Sequence, residues 1–287
     1  MIPSLPRPRW LRAVTALFVV AFLIFLFMPL VTVAVFAFND APYPAPPWQG
    51  FTLDWFTGNA AAGRVGLFGD EELLGSILTS GWVATWVTVI SLVVGTSNAF
   101  LMERTQFRGR GLLALLMLVP LVIPGVILGI SILAFASRVA DLLGDLQGWD
   151  AEFLRPGLPL VVLGQASYLI AIATLTISAR LKRFDRTLEE AACNLGASGF
   201  AVLATITLPY LRPALIGSAA IIFLMSFENF NTTLMLVGAD SPLTVMMYGR
   251  MRDGASPVLN AVSVFLMLAS ATIALLLMRG DARSRAR

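Results

Sequence analysis

The sequence predicts an all-α, polytopic membrane protein with six transmembrane helices and a structured basic loop between the fourth and fifth. Three observations carry that expectation. The 287 residues are 57% hydrophobic and only 13% charged, with a mean hydropathy of +0.82, whereas an average soluble domain is about 25% charged. Six stretches are apolar over the roughly 20 residues that a helix needs to cross about 30 Å of hydrocarbon. The charges between them sort by sign from loop to loop, as they do on the two sides of a membrane.

Composition excludes several chemistries. With no His and one Cys, the chain lacks the usual zinc, copper or iron ligands and any His-based nucleophile relay. The single Cys forbids an internal disulfide. A phosphate-binding P-loop ends in Gly-Lys-Ser/Thr, but Lys182, the only lysine, lies between Leu181 and Arg183. The chain is therefore no Walker-type ATPase. Twenty basic against 17 acidic residues is no nucleic-acid signal once their placement is considered.

The first span, residues 12–38, follows Arg7, Arg9 and Arg12. Its apolar run of roughly 26 residues is too long for a signal-peptide core of about 7–15, so it reads as an uncleaved helix. Residues 39–72 open with the Pro-rich run 41–47, which forbids a long helix. The aromatics Trp48, Phe51, Trp55 and Phe56 that follow are expected in an interfacial belt, with contact to an external partner as the alternative. The second span is 73–102 and the third 112–136, where Pro120 and Pro124 introduce a kink and Gly125 and Gly129 form a G-x-x-x-G packing face. The fourth span, 158–179, carries Gln165, Ser167 and Tyr168; the fifth, 208–237, carries Glu228; the sixth is 258–278. No repeat of 20–50 residues is visible, so residues 1–287 are expected to form one membrane domain.

With both termini in the cytoplasm, fifteen of the 20 basic residues share that side: Arg7, Arg9 and Arg12; Arg104, Arg108 and Arg110; Arg180, Lys182, Arg183, Arg186 and Arg212; Arg279, Arg283, Arg285 and Arg287. Arg64, Arg138, Arg155, Arg250 and Arg252 face the other side, in accord with the positive-inside rule. The outer loops carry the acids Asp40, Asp54, Asp70, Glu71, Glu72, Asp141, Asp145, Asp150, Glu152, Asp240 and Asp253, either to draw in cations or simply to stay solvated.

Residues 178–209 read as two short helices. Thr187 and Glu190 have the spacing of a capping box, and Leu188, Ala191, Ala192 and Leu195 fall on one face at i, i+3, i+4 and i+7. Gly196 is expected to end the first helix, Ser198 to cap the second, and Pro209 to break it where the fifth span begins. Physics alone leaves two readings open: a helix that docks a partner, or an amphipathic helix flat on the headgroups. Cys193 has no His or Cys nearby in sequence and is read as a spectator.

Glu190-Ala191-Ala192, then Gly196, Ile206 and Leu208-Pro209 at their spacing, resemble the E-A-A cytoplasmic loop of binding-protein-dependent ABC-transporter permeases. The resemblance implies that the loop, residues 180–209, docks on an ATP-hydrolysing subunit, with Glu190, Ala191, Ala192, Leu195 and Gly196 in coupling. It implies a bacterial inner-membrane location and three kinds of partner besides lipid: a second permease subunit, cytoplasmic ATP-binding subunits and an extracytoplasmic solute-binding protein. ATP and Mg would be bound by the partner ATPase, leaving this chain without cofactor, metal or catalytic residue. Phe38-Asn39 and the segments 48–55, 107–110, 120–125 and 254–261 are similar to the spermidine/putrescine permease subgroup, which shades into permeases for iron, thiamine and sulfate.

Glu228 is the one acid inside a span. A charge there costs about 2.5–3.5 kcal/mol even on the insertion scale, so it is expected to face a bundle interior or water. Asn231 and Thr232, three and four residues on, would share its helical face, giving a polar stripe toward a solute pathway with Asn229, Gln165 and Tyr168. The subgroup resembled here has adjacent acids where this chain has Glu228-Asn229. The missing carboxylate weakens the case for a multiply charged amine, and Asn, which both donates and accepts, also suits a zwitterion, a polyol or a metal chelate. Glu228 could alternatively be structural, tied to an Arg or polar group of a neighbouring helix. A proton-coupled secondary transporter with Glu228 as carrier would show inverted repeats, and an intramembrane hydrolase would need a base in the spans, where Lys182 is not. The resulting expectation is a transport subunit that imports a small solute, polyamine first, and is not itself an enzyme.

Overall fold

The computed structural model describes residues 9–148 and 151–285; Arg7, Asp150 and Arg287 of the charge pattern lie outside the described residues. Each expected span is helical, and two of the six are interrupted. Helices α1 (Arg9–Phe36), α3 (Glu71–Arg104), α6 (Leu158–Leu181) and α12 (Pro257–Arg285) match the first, second, fourth and sixth. The third becomes α4 (Arg110–Val122) and α5 (Gly125–Gln147), and the fifth becomes α9 (Leu208–Phe227) and α10 (Asn231–Leu236). Short helices fill the connections: α2 (Asp54–Thr57), α7 (Thr187–Asn194), α8 (Gly199–Val202) and α11 (Leu243–Asp253). Among the described residues five helices are long and apolar enough to cross a membrane, and Arg110–Val122 and Pro257–Thr272 are shorter apolar helices.

The expected kink at Pro124 is a complete break. Pro lacks an N–H and pushes the residue before it out of the helical region, and Ile123 is accordingly extended at φ −74°, ψ 130°. The spanning helix of this region therefore starts at Gly125 and continues to Leu146, beyond the residue 136 expected from hydropathy.

The chain divides into two compact units. In the unit Glu72–Tyr248, α6 is the central helix. It buries Leu160, Val161, Leu169, Ala173, Ile177 and Leu181 against Val83 and Val87 of α3, Leu211 and Ile222 of α9 and Leu236 of α10. Close approach depends on missing side chains: a Cβ at Gly95 of α3 would lie 2.4 Å from that of Ala173, and one at Gly164 of α6 would lie 2.2 Å from Leu236 Cδ1. A Cβ at Gly129 of α5 would lie 2.8 Å from Met235 Cβ, so the expected G-x-x-x-G face does pack, against α10.

In the unit Met1–Glu71 with Gly249–Arg287, α1 packs along α12. The α1 window is apolar on every side with none of it buried, as in a span facing lipid. The loop after α1 is folded on itself. Asn39 is buried; its carboxamide oxygen accepts from Gln49 N at 2.8 Å and its carbonyl accepts from the Trp55 indole at 2.8 Å. Trp55 is thus part of a small core, 6% exposed, and not a member of the expected interfacial belt, whereas Trp48 and Phe51 remain exposed. Arg64 lies 4.8 Å above the Trp55 ring and pairs with Asp40 at 2.5 Å and Asp54 at 3.3 Å.

The glycine contacts make a paired test. Gly95→Ala is expected to destabilise the detergent-solubilised protein by about 1–3 kcal/mol through overpacking. Gly144→Ala in α5, where a Cβ meets nothing within 4 Å, should be neutral or stabilising by up to about 1 kcal/mol. Thermal unfolding of both variants checks this, and equal melting temperatures would contradict the packing described.

Candidate functional site

Two features concentrate the chemistry: the interruption between α9 and α10, and the loop helix α7. At the first, α9 ends with Glu228 N donating to Leu224 O and Asn229 N to Ser226 O. Neither Gly nor Pro occupies residues 228–230; side chains close the gap. Asn229 Oδ1 accepts from Thr233 N at 3.2 Å and Thr233 Oγ1 at 3.1 Å, capping α10, while Asn229 Nδ2 donates to Tyr168 Oη at 2.8 Å. Gln165, buried on α6, donates through Nε2 to Thr233 Oγ1 at 2.8 Å and accepts from Ser226 Oγ at 2.5 Å. Thr232 is buried and donates to Gly125 O at 3.4 Å.

The structure therefore separates the residues expected on one polar stripe. Gln165, Asn229 and Tyr168 are joined in a hydrogen-bond network, and Thr232 turns toward α5. Glu228 and Asn231 are exposed. The shared helical face fails because the helix stops between them, which re-aims every side chain after residue 228. Among the described residues Glu228 makes no ion pair or hydrogen bond through its carboxylate. It occupies the C-cap of a 20-residue helix, where the macrodipole disfavours an anion by about 0.3–1 kcal/mol and a cation alongside would be welcomed.

In the second feature, α7 is fastened at both ends. Asp185, and not Thr187, supplies the cap: its Oδ1 accepts from Thr187 N at 3.0 Å. Thr187 is already the first helical residue, after Arg186 in helical conformation, so the capping box with Glu190 does not form. Contacts from the Thr187 amide and hydroxyl hold the Asp185 carboxyl below its ordinary value of 3.8. At the other end Gly196 takes φ +88°, and Ala197 N donates to Ala192 O at 3.0 Å and Gly196 N to Cys193 O at 2.9 Å, a Schellman closure. Ser198 caps α8 as expected, accepting from Ala201 N at 3.3 Å. Pro209 does not break the chain there. The segment Leu203–Thr207 is π-helical, Leu208 N donates to Leu203 O, and the helix passes through Pro209 into α9.

No residue of α7 is buried. Glu190 and Ala191 are exposed and Ala192 is half-buried, while Leu195 beyond it and Phe200 on α8 are 90% and 80% exposed. The apolar stripe thus points away from the chain. Glu189, outside the E-A-A pattern, turns inward: its Oε1 accepts from Arg104 Nη2 at 2.9 Å and Thr207 Oγ1 at 2.6 Å. Adjacent helical residues point about 100° apart, so the two acids lie on different parts of the helix surface, and only Arg104 and Thr207 decide which of them turns inward.

Residues 89–283 match the family described as binding-protein-dependent transport system inner membrane component. The chain is 27% identical over 245 residues to the putrescine transport system permease protein PotI of Escherichia coli (strain K12), covering 85% of this chain and 82% of that protein. It is 26% identical over 254 residues to the spermidine/putrescine transport system permease protein PotC of the same organism, covering 88% of each. Its fold is similar to a chain in the crystal structure of a bacterial ABC transporter involved in the import of the acidic polysaccharide alginate, with a TM-score of 0.72 at 19% identity over 96% of this chain and 95% of that one.

The α7 cap predicts a pH response. A depressed folded-state value means that the Asp185 contribution is complete above its ordinary carboxylate range and is lost as pH falls through the lowered value. Amide exchange at Thr187 to Glu190, corrected for intrinsic rates, should be protected at pH 7 and lose protection in Asp185→Ala, which removes the accepting oxygen, at the same pH. Equal protection in variant and wild type would remove Asp185 as the cap.

Proposed function

We propose that this chain, which belongs to the family of binding-protein-dependent transport system inner membrane components, admits a small cationic solute, polyamines being the first candidates, as the permease subunit of an ABC importer. The observation that carries the reading is α7: a loop helix capped at both ends, with no buried residue and with Leu188 presented outward, followed by the exposed Leu195 and by the exposed Phe200 of α8. Apolar side chains exposed on a fastened helix outside the membrane-spanning segments fit a surface that another protein covers. In this reading the occupant is a cytoplasmic ATP-binding subunit, which grips Glu190, Ala191, Ala192, Leu195 and Gly196. In the same reading the charge pattern makes both termini and the α7 loop cytoplasmic, and the loops after α1 and α5 extracytoplasmic, where a solute-binding protein would meet them. A second permease subunit completes the pathway, with residues 1–287 acting as one transmembrane domain.

ATP binding and hydrolysis on the partner subunits drive alternating access, and this chain does no covalent chemistry. The exposed Glu228 carboxylate, at the negative end of α9, is the residue assigned to the solute, with Asn231 beside the same break. Gln165, Asn229, Tyr168 and Thr232 shape the pathway by holding α9, α10 and α5 together. The polyamine assignment draws on the two relatives, whose names refer to putrescine and spermidine, and on Glu228. Since one carboxylate serves a mono-cation or zwitterion as well as a polyamine, neutral, anionic and chelate solutes belong in the same assay. A proton-coupled carrier built on Glu228 alone is the rival mechanism.

Co-purification and solute-stimulated ATPase of the reconstituted complex test both parts. Leu195→Asp is expected to reduce co-purifying ATPase by roughly 10-fold or more, as a charge placed in a desolvated contact does. Glu228→Gln should leave the ATPase subunits bound and raise the half-stimulating putrescine or spermidine concentration by about 10-fold, as loss of a charged hydrogen-bond acceptor does. Stimulation by another solute, unchanged in Glu228→Gln, would overturn the polyamine assignment, and solute uptake by the chain alone would overturn the importer reading.

A further inference from the structure

The two successive acids of α7 serve opposite directions. Glu190 is exposed, whereas the Glu189 side chain is 25% exposed and the Arg104 side chain that meets it is 18% exposed. A single atom, Glu189 Oε1, joins three elements: α7 itself, the last residue of α3 through Arg104 Nη2, and the end of the π-helical segment through the fully buried Thr207. The site is backed by rings. Phe184 lies 5.4 Å from the Arg104 guanidinium and meets Tyr210 of α9 edge-on at 4.9 Å.

An eight-residue helix is not stable by itself, and α7 has no buried apolar residue to seat it. Its links to the spans are polar: the Glu189 junction and Arg186 Nη2, which donates to Glu103 O at 2.5 Å. The link to α9 enters at Thr207, the last residue of a π-helical stretch, a rare register that is frequent at functional sites. A push on α7 can therefore be absorbed by the loop unless Glu189 hands it to both helices.

We propose that Glu189 is the positioning residue that transmits displacement of α7 to α3 and α9, so that its loss uncouples ATP hydrolysis from solute movement without releasing the ATPase. The proposal rests on the reading of α7 as the surface gripped by the ATP-binding subunit. It assigns the coupling task on this chain's inner side to a residue outside the E-A-A pattern, leaving the outward residues to hold the partner. Arg104 and Thr207 are the receiving groups.

The test uses the full complex in proteoliposomes and reads solute imported per ATP hydrolysed, a ratio that a merely structural role would not move selectively. Glu189→Ala should keep ATPase co-purification and lower the ratio by about 10-fold, the scale of a charged hydrogen bond. Arg104→Ala should lower it too, and the double variant should be no worse than either single one. Glu189→Gln, which keeps an acceptor for Thr207, should fold and fall between wild type and Glu189→Ala. The exchange of charges in Glu189→Arg with Arg104→Glu should restore part of the ratio. An unchanged ratio in Glu189→Ala, or additive losses in the double variant, would overturn the proposal. Absence of ATPase subunits from the wild-type complex would instead overturn the docking reading on which it rests.

Discussion

Inside hydrocarbon a backbone that leaves helical geometry exposes donors and acceptors that water cannot reach, so protein must satisfy them. This chain leaves helical geometry twice within its expected spans, at Ile123-Pro124 and at residues 228–230. The two breaks are neighbours. A Cβ on Gly125, the first residue after one break, would lie 3.1 Å from Asn231 Cβ and 3.3 Å from Thr232 Oγ1, just after the other. Thr232 donates across the gap to Gly125 O, Asn229 caps α10, and Gln165 ties Ser226 to Thr233. The central position of α6 follows from this need, because it must deliver Gln165 and Tyr168 to the break while packing its apolar residues on α3 and α9.

The same constraint explains which polar residues are left over. Once the break has engaged Asn229, Gln165, Ser226, Thr232 and Thr233, the exposed Glu228 and Asn231 remain beside it. At the basic loop, water is available and the logic reverses. There α7 is held by charged and polar contacts from Asp185, Arg186 and Glu189, and its apolar groups are turned outward. The polar residues near the break close the structure on itself, whereas the apolar residues of α7 leave it open to a partner.

The helical class and the starts of most spans were legible because hydropathy over 20 residues reports the solvent directly. The break at Pro124 carried a visible signal, a missing N–H, and only its completeness was hidden. The break at Glu228 has only one local signal, the capping residue type Asn229; the rest of its cause is Gln165, some 60 residues away in sequence, and a stripe through Glu228, Asn231 and Thr232 requires a continuous helix. Trp55 reads as interfacial in the sequence because nothing local announces that its indole meets the Asn39 carbonyl. In the loop, Gly196 and Ser198 performed as their residue types suggest, but Asp185 and Thr187 were competing caps two residues apart. The choice between Glu189 and Glu190 depended on Arg104, in a different helix.

In the proposed importer, α7 is the surface by which an ATP-hydrolysing subunit holds this chain. Cys193, the chain's only cysteine, lies on that helix and is exposed, so the native protein carries its own probe. A short photo-crosslinker attached there, activated in the assembled complex in lipid, should yield an adduct between this chain and an ATP-binding subunit. Adducts to lipid alone would place α7 on the membrane surface and contradict the account.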